Sequence, residues 1–139
     1  MRTPFDTAQR VQHRAVETVR VAISVEVERH SRIESESDAL VESIARERAM
    51  GHAAGWISTD AWLARMRAER ARLQNEARSA EARLAALRAQ AAEAYGAMRV
   101  IDGAVDRHQE EALRIEEVSE QGRLDDMAAA RLMRSKAAR

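Results

Sequence analysis

The sequence contains a long run of positions spaced alternately three and four residues apart, and this spacing constrains the fold more than any other feature. The run has sixteen positions, of which fourteen are apolar. Its members are Leu63, Met66, Arg70, Leu73, Ala77, Ala80, Leu84, Leu87, Ala91, Ala94, Met98, Ile101, Val105, His108, Ala112 and Ile115. A repeat of about 3.5 residues keeps one stripe of a helix facing a partner helix, so the run predicts a coiled-coil seam.

Composition favours helix over strand and a thin seam over a thick core. Pro4 is the only proline, and only five glycines occur in 139 residues, so little would interrupt a long helix. The aromatic residues are few, namely Phe5, Trp56, Trp62 and Tyr95. We therefore expect an all-α fold and, from the length, a single domain over residues 1–139.

Capping signals indicate where two helices begin and end. Thr3, Pro4 and Asp6 suit the start of a helix, and Gly51 suits its end. We predict helix 1 over about residues 4–50, a turn over about 51–58 and helix 2 over about 59–134, starting at a cap near Ser58 or Thr59. Gly122 is expected either to loosen helix 2 or merely to fray its end.

Helix 1 carries a weaker seam that includes two polar positions, Glu26 and Ser37. The other members of this seam are Val16, Val19, Ile23, His30, Ile33, Leu40 and Ile44. A short turn favours an antiparallel hairpin in which the numbers of facing residues add up to about 109.

Charge supports the same antiparallel alignment. Segment 26–46 has six acidic and three basic residues, and segment 63–83 has six arginines and three glutamates. These opposite net charges of −3 and +3 favour the hairpin over parallel self-pairing, so we expect the chain to be monomeric on its own.

Helix 2 is predicted to extend past the start of helix 1, because residues after about 106 have no facing segment. Apolar residues nevertheless continue there at helical spacing, which suggests an external partner. Segment 108–126 has seven acids and two arginines, whereas segment 131–139 has three arginines and Lys136. The sequence thus predicts a long two-helix antiparallel coiled-coil hairpin with a C-terminal helical overhang.

Several classes of function have no support in the sequence. The 23 basic and 23 acidic side chains balance, which argues against a nucleic-acid binder, and there is no cysteine. The four histidines lack a metal-binding spacing, and no phosphate loop or nucleophile motif occurs. We expect no enzymatic activity, no metal and no cofactor. No segment is apolar enough to insert into a membrane and no secretory signal is evident, so we expect a cytoplasmic protein.

Two tryptophans flank the predicted start of helix 2. Trp56 and Trp62 would cap the end of the seam at the turn, or they would contact a partner. The capping role is the simpler interpretation, since an apolar side chain at an open seam end is stabilised by covering it.

Two short patches resemble one family. The stretch Gly55-Trp56-Ile57-Ser58-Thr59-Asp60-Ala61-Trp62 resembles the start of the second helix in the FliJ family, a soluble component of the bacterial flagellar export apparatus. The stretch Glu120-Gln121-x-x-Leu124-Asp125-Asp126-x-Ala128-x-x-Arg131-Leu132 resembles the family's C-terminal pattern. Gly122 departs from that pattern, which usually has a helix-forming residue there.

The resemblance implies a hairpin similar to the central shaft of rotary ATPases. The implied partners are the hexameric flagellar export ATPase, the export gate membrane protein and export chaperones, at the cytoplasmic face of the inner membrane. Together with the apolar spacing, the resemblance selects a partner-binding set: Leu113, Ile115, Val118, Gln121, Leu124, Asp125, Met127, Ala128, Arg131 and Leu132. The alternative hypothesis is a cytoplasmic, self-associating coiled-coil adaptor or scaffold unrelated to secretion.

Overall fold

The computed structural model describes residues 3–51 and 59–139, and this part of the chain forms two α-helices and no strand. Helix α1 spans Asp6–Gly51 and helix α2 spans Thr59–Ala137. The two helices pack against each other, which confirms the all-α helical hairpin expected from the sequence. Helix α2 continues through Gly122 without a break.

The start of α1 is fixed by a local network between Thr3 and Asp6. The Thr3 backbone N–H donates to Asp6 Oδ1 at 3.1 Å, and the Thr3 hydroxyl donates to the same oxygen. The Asp6 N–H donates in turn to the Thr3 carbonyl oxygen at 3.3 Å. A carboxylate that reaches back to the capping residue is half of a capping box, and it explains why the helix begins here. The hydrogen bonds from Thr3 lower the pKa of the Asp6 carboxyl.

The described residues divide into two compact units. The middle unit comprises Arg14–Tyr95, and the terminal unit comprises Met1–His13 with Gly96–Arg139. Each helix contributes to both units, since α1 begins in the terminal unit and α2 begins in the middle one.

The middle unit holds the apolar seam. Its most enclosed residues are Leu73, with 2% of its surface exposed, and Ala80, with 0% exposed, and both pack with Ile33. Leu40 and Ala77 extend this cluster. Ala80 leaves room for the neighbouring larger side chains, because interiors pack closely only when large and small residues alternate.

All nine predicted seam positions of α1 are buried or half-buried, including the polar Glu26 and Ser37. On α2 the predicted positions in this unit are likewise covered, with one exception. Arg70 is exposed, since its long side chain can keep its charge in water from the edge of a seam. Trp62 is half-buried near the start of α2, whereas Trp56 lies outside the described residues.

Ion pairs across the middle unit confirm the predicted alignment. The Oε2 atom of Glu26 lies 3.4 Å from Arg83 Nε, and the numbers of these two residues add up to the predicted 109. Glu26 also accepts a hydrogen bond from Arg29 at 3.1 Å. His30 Nε2 lies 3.5 Å from Glu81 Oε1 and His30 Nδ1 lies 3.7 Å from Glu34 Oε1, so this seam histidine lies between carboxylates of the two helices.

The carboxylate of Glu26 is the one charged group that the seam encloses among the described residues, with 5% of the residue exposed. Desolvation of a charge costs several kcal/mol, and its ion pairs offset that cost only when their geometry is good. Two arginines approach Glu26 from different helices, which satisfies both carboxylate oxygens. This arrangement favours one alignment of the helices over neighbouring ones.

We predict that Leu73→Ala lowers the free energy of unfolding by about 2–5 kcal/mol, because it leaves a cavity among tightly packed seam residues. Urea denaturation followed by circular dichroism measures the change. Leu124→Ala is the matched control, since Leu124 is exposed and its truncation should change stability by less than about 0.5 kcal/mol. Equal losses for the two variants would contradict the assignment of the seam.

Candidate partner-binding surface

The terminal unit anchors the last part of α2 against the first turns of α1. Val105 is buried, and the ring of Phe5 meets the ring of His108 edge-on, with centroids 6.0 Å apart and planes at 80°. His108 is otherwise exposed. After Val105, the last fully buried position of the α2 seam, Ala112 is half-buried and the predicted continuation at Ile115 is exposed rather than covered.

Asp102 is the polar anchor of this unit. Its Oδ1 atom accepts a hydrogen bond from Gln9 Nε2 at 2.8 Å and lies 3.1 Å from His13 Nε2. The hydrogen bond from Gln9, followed by the contact with His13, lowers the pKa of the Asp102 carboxyl. One carboxylate of α2 thus contacts two side chains of α1. These contacts fix α2 against α1 shortly before the exposed C-terminal part of α2 begins.

Beyond Ala112 α2 has no covering element among the described residues. Every residue of 113–139 is exposed, and the segment stays helical to Ala137. We call residues 113–137 the overhang. The exposed overhang agrees with the expectation that α2 extends past the start of α1.

The apolar side chains of the overhang are large and well exposed. They are Leu113, Ile115, Val118, Leu124, Met127, Leu132 and Met133, each with 54% or more of its surface exposed. Isolated exposed apolar residues are common on protein surfaces. Seven large apolar residues on one helical segment that packs against no other described element form a candidate contact surface.

The ten predicted partner-binding residues do not share one face. Each residue advances about 100° around an α-helix. Four of the ten, which we call the Leu113 face, lie close to one line along the helix: Leu113, Leu124, Met127 and Arg131. Five others, which we call the Val118 face, lie about 100° further around: Val118, Gln121, Asp125, Ala128 and Leu132.

Ile115 lies about 60° beyond Val118, at the far edge of the Val118 face and on the opposite side of the helix from Leu113. Met133 shares this side, although it is not among the residues predicted from the sequence. The predicted residues therefore spread over about two thirds of the helix circumference instead of forming a single stripe. A partner that contacted all of them would have to enclose the overhang.

Few polar contacts tie down the side chains of the overhang. Arg114 binds Glu111 one turn earlier, and Gln121 Nε2 donates to Asp125 Oδ1 at 3.0 Å. Both contacts lie within α2 and hold side chains along its own surface. The hydrogen bond between Gln121 and Asp125 orients two members of the Val118 face, and it does so without contact to another helix.

Sequence reasoning missed the polar anchor formed by Gln9, His13 and Asp102. None of the three is among the predicted seam residues, and all are polar, so the apolar repeat gives no signal for them. The numbers of Gln9 and Asp102 add up to 111, close to the predicted 109, so the alignment of the helices alone would have placed them opposite each other.

Neither a metal cluster nor a membrane span occurs in the described part of the chain. Residues 3–51 and 59–139 contain no group of three or more histidine, aspartate or glutamate side chains able to hold a metal ion. Neither described helix has a stretch that is long and apolar enough to cross a membrane. Comparison with protein-family models, curated proteins and solved structures finds no match for this chain.

We predict that Asp102→Asn destabilises the protein at neutral pH and that this difference shrinks as the pH falls. A lowered pKa means that the folded state favours the carboxylate. The stabilisation is therefore present above the ordinary aspartate pKa of about 3.9 and is lost as the pH falls through the lower value in the folded protein.

Thermal unfolding between about pH 7 and pH 2 tests this prediction. Asp106→Asn is the matched control, since Asp106 is an exposed aspartate on the same helix. A constant difference between the Asp102→Asn variant and the original protein at every pH would contradict a role for the Asp102 charge.

Proposed function

We propose that the chain is a non-enzymatic stalk component of the bacterial flagellar type III protein export apparatus. In this role the overhang engages the hexameric export ATPase. The observation that carries the proposal is an exposed helical segment that bears large apolar side chains on several sides and continues directly from a packed hairpin.

The distribution of these side chains favours an enclosing partner. A groove on a single partner would cover one face of a helix, as amphipathic helices do when they bind. Here the Leu113 face, the Val118 face and Ile115 point in different directions. A ring of subunits around the helix would bury all of them at once, and a hexameric ATPase with a central opening provides such a ring.

The net charge of the overhang changes from negative to positive along its axis. Residues 113–126 carry five acidic and two basic side chains, whereas residues 131–137 carry three basic side chains and no acidic one. Complementary charges on a partner would orient the helix and set how far it enters, since charge patterns contribute more to orientation than to affinity.

The two patches that resemble the FliJ family support this partner over others. The C-terminal patch runs from Glu120 to Leu132 and coincides with the exposed overhang. By the same resemblance, the export gate membrane protein and export chaperones are further proposed partners. The protein would then work in the cytoplasm, as a peripheral component at the inner membrane.

The alternative function is a cytoplasmic coiled-coil adaptor that works by self-association. In the middle unit the seam of each helix is already covered by the other helix, so it offers little surface for a second chain. Self-association would therefore have to use the overhang.

We predict that deleting residues 120–139 leaves the hairpin folded but abolishes binding to the export ATPase. The deleted residues are all exposed, so few stabilising contacts are lost. Thermal unfolding measures the first effect, and binding to the purified hexamer together with swimming of a complemented deletion strain measures the second. A folded, truncated protein that binds the ATPase and fully restores swimming would contradict the proposed function.

Point variants sharpen this test without shortening the chain. Replacing Val118 and Leu132 by aspartate puts two charges on one face of the overhang. We expect this variant to bind the ATPase about thirtyfold more weakly or worse, since the loss of a hot-spot residue costs about 2 kcal/mol or more. The matched control replaces the exposed Val21 and Val25 of α1 by aspartate, which should leave ATPase binding unchanged.

A further inference from the structure

One stripe of the overhang has an order of charges that is complementary to itself. It consists of Glu117, Glu120, Leu124, Met127, Arg131 and Arg134, spaced alternately three and four residues apart. On a continuous helix these positions lie within about 100° of the circumference, so they form one surface. Along this charged stripe two acids come first, two apolar residues lie in the middle, and two bases come last.

We propose that the charged stripe pairs with the same stripe of a second copy of this chain, in antiparallel orientation. When two copies run in opposite directions, the acidic end of one meets the basic end of the other. Glu117 then faces Arg134 of the second copy, Glu120 faces Arg131, and Leu124 faces Met127. The twofold axis repeats every one of these contacts, as expected for an isologous interface.

The alternation of three and four residues gives the stripe the geometry that helix pairs need. A seam with this spacing stays in contact with a partner helix along its whole length. The seam residues that pack the two helices of the middle unit have the same spacing, and Leu73 and Ile33 lie in its buried cluster. In the overhang the central members, Leu124 and Met127, are 58% and 54% exposed, so they are open to such a contact.

The charged members of the stripe are available for new ion pairs. Among the described residues, the ion pairs within 4.0 Å do not include Glu117, Glu120, Arg131 or Arg134. Neighbouring Arg114, which is not part of the stripe, is already paired with Glu111. Parallel pairing of two copies would place like charges opposite each other, so charge selects the antiparallel arrangement.

The stripe is short, so the resulting dimer is weak. Residues 117–134 extend over about 27 Å at 1.5 Å per residue, which is small for a helix pair. Interfaces below about 1,200 Å² belong to transient complexes. The chain is therefore monomeric when dilute, as its internally paired hairpin allows, and pairs through the overhang at higher concentration.

Dimerisation through the charged stripe does not require the proposed function. The two surfaces do overlap, because Leu124, Met127 and Arg131 belong both to the charged stripe and to the Leu113 face. The Val118 face lies beside the stripe and stays outside the contact. Self-pairing would thus compete with any partner that encloses the overhang.

Exchange of charges tests the proposal. The first variant, Glu117→Arg with Glu120→Arg, has a stripe whose charges are all basic. The second, Arg131→Glu with Arg134→Glu, has a stripe whose charges are all acidic. We expect the original protein to dimerise with increasing concentration in sedimentation equilibrium, each variant alone to stay monomeric, and an equimolar mixture of the two variants to form mixed dimers.

Controls separate pairing from misfolding and from general stickiness. All four substituted positions are exposed, so circular dichroism should show that both variants remain helical. Val118→Asp with Leu132→Asp alters the Val118 face and should leave dimerisation of the otherwise original chain unchanged. Raising the salt concentration to about 1 M, where charges are screened beyond about 3 Å, should shift the original protein toward monomer.

Three results would overturn the proposal. The first is an original protein that stays monomeric at the highest soluble concentration. The second is a variant that dimerises alone as strongly as the original protein. The third is a mixture of the two variants that stays monomeric. Because these measurements use the purified chain alone, they do not involve ATPase binding, and failure of one proposal leaves the other to its own test.

Discussion

The structure depends on the requirement that a helix with a 3.5-residue apolar repeat must cover its stripe. In the middle unit, α1 and α2 meet this requirement for each other, with Ala80 fully enclosed and Leu73 almost so. Aromatic residues contribute little there, since only Trp62 is half-buried in the described part of this unit. Alanine and branched aliphatic residues suffice because two helices form a seam that is one side chain deep and need no thick core.

Polar side chains decide how the two helices align. An apolar repeat fits almost equally well after a shift of seven residues, so it cannot select one alignment alone. The buried carboxylate of Glu26 meets Arg83 in the observed alignment, and Asp102 receives Gln9 in the terminal unit. A shifted alignment would leave the Glu26 charge enclosed with fewer partners, which is costly in a seam. The Glu26 contact thus contributes more to the choice of alignment than to stability, because its ion pairs are offset by the cost of burying the charge.

The sequence predicted the features that follow from periodicity and net charge. The limits of both helices agree with the capping signals, the covered positions of α1 agree with the repeat, and the exposure of the residues after 113 agrees with the unequal helix lengths. Individual polar contacts, such as that of His13 with Asp102, could not be predicted, because a side chain beside a seam can turn either to water or to the other helix. The division of the ten candidate residues between two faces and Ile115 required a continuous helix past Gly122.

The same requirement that folds the hairpin gives the overhang its properties. Where α1 is present, the seam residues of α2 are covered except Arg70, and Glu26 and Arg83 form an ion pair across the two helices. Past Val105 the apolar residues continue, but they leave the single seam and spread around the helix. An isolated helix gains nothing from such residues in water, since their burial contributes only in contact with another surface. The overhang therefore makes physical sense as a surface completed by a second molecule. We propose such a molecule on these grounds, and the ordered charges of the overhang would then limit the orientations in which it approaches.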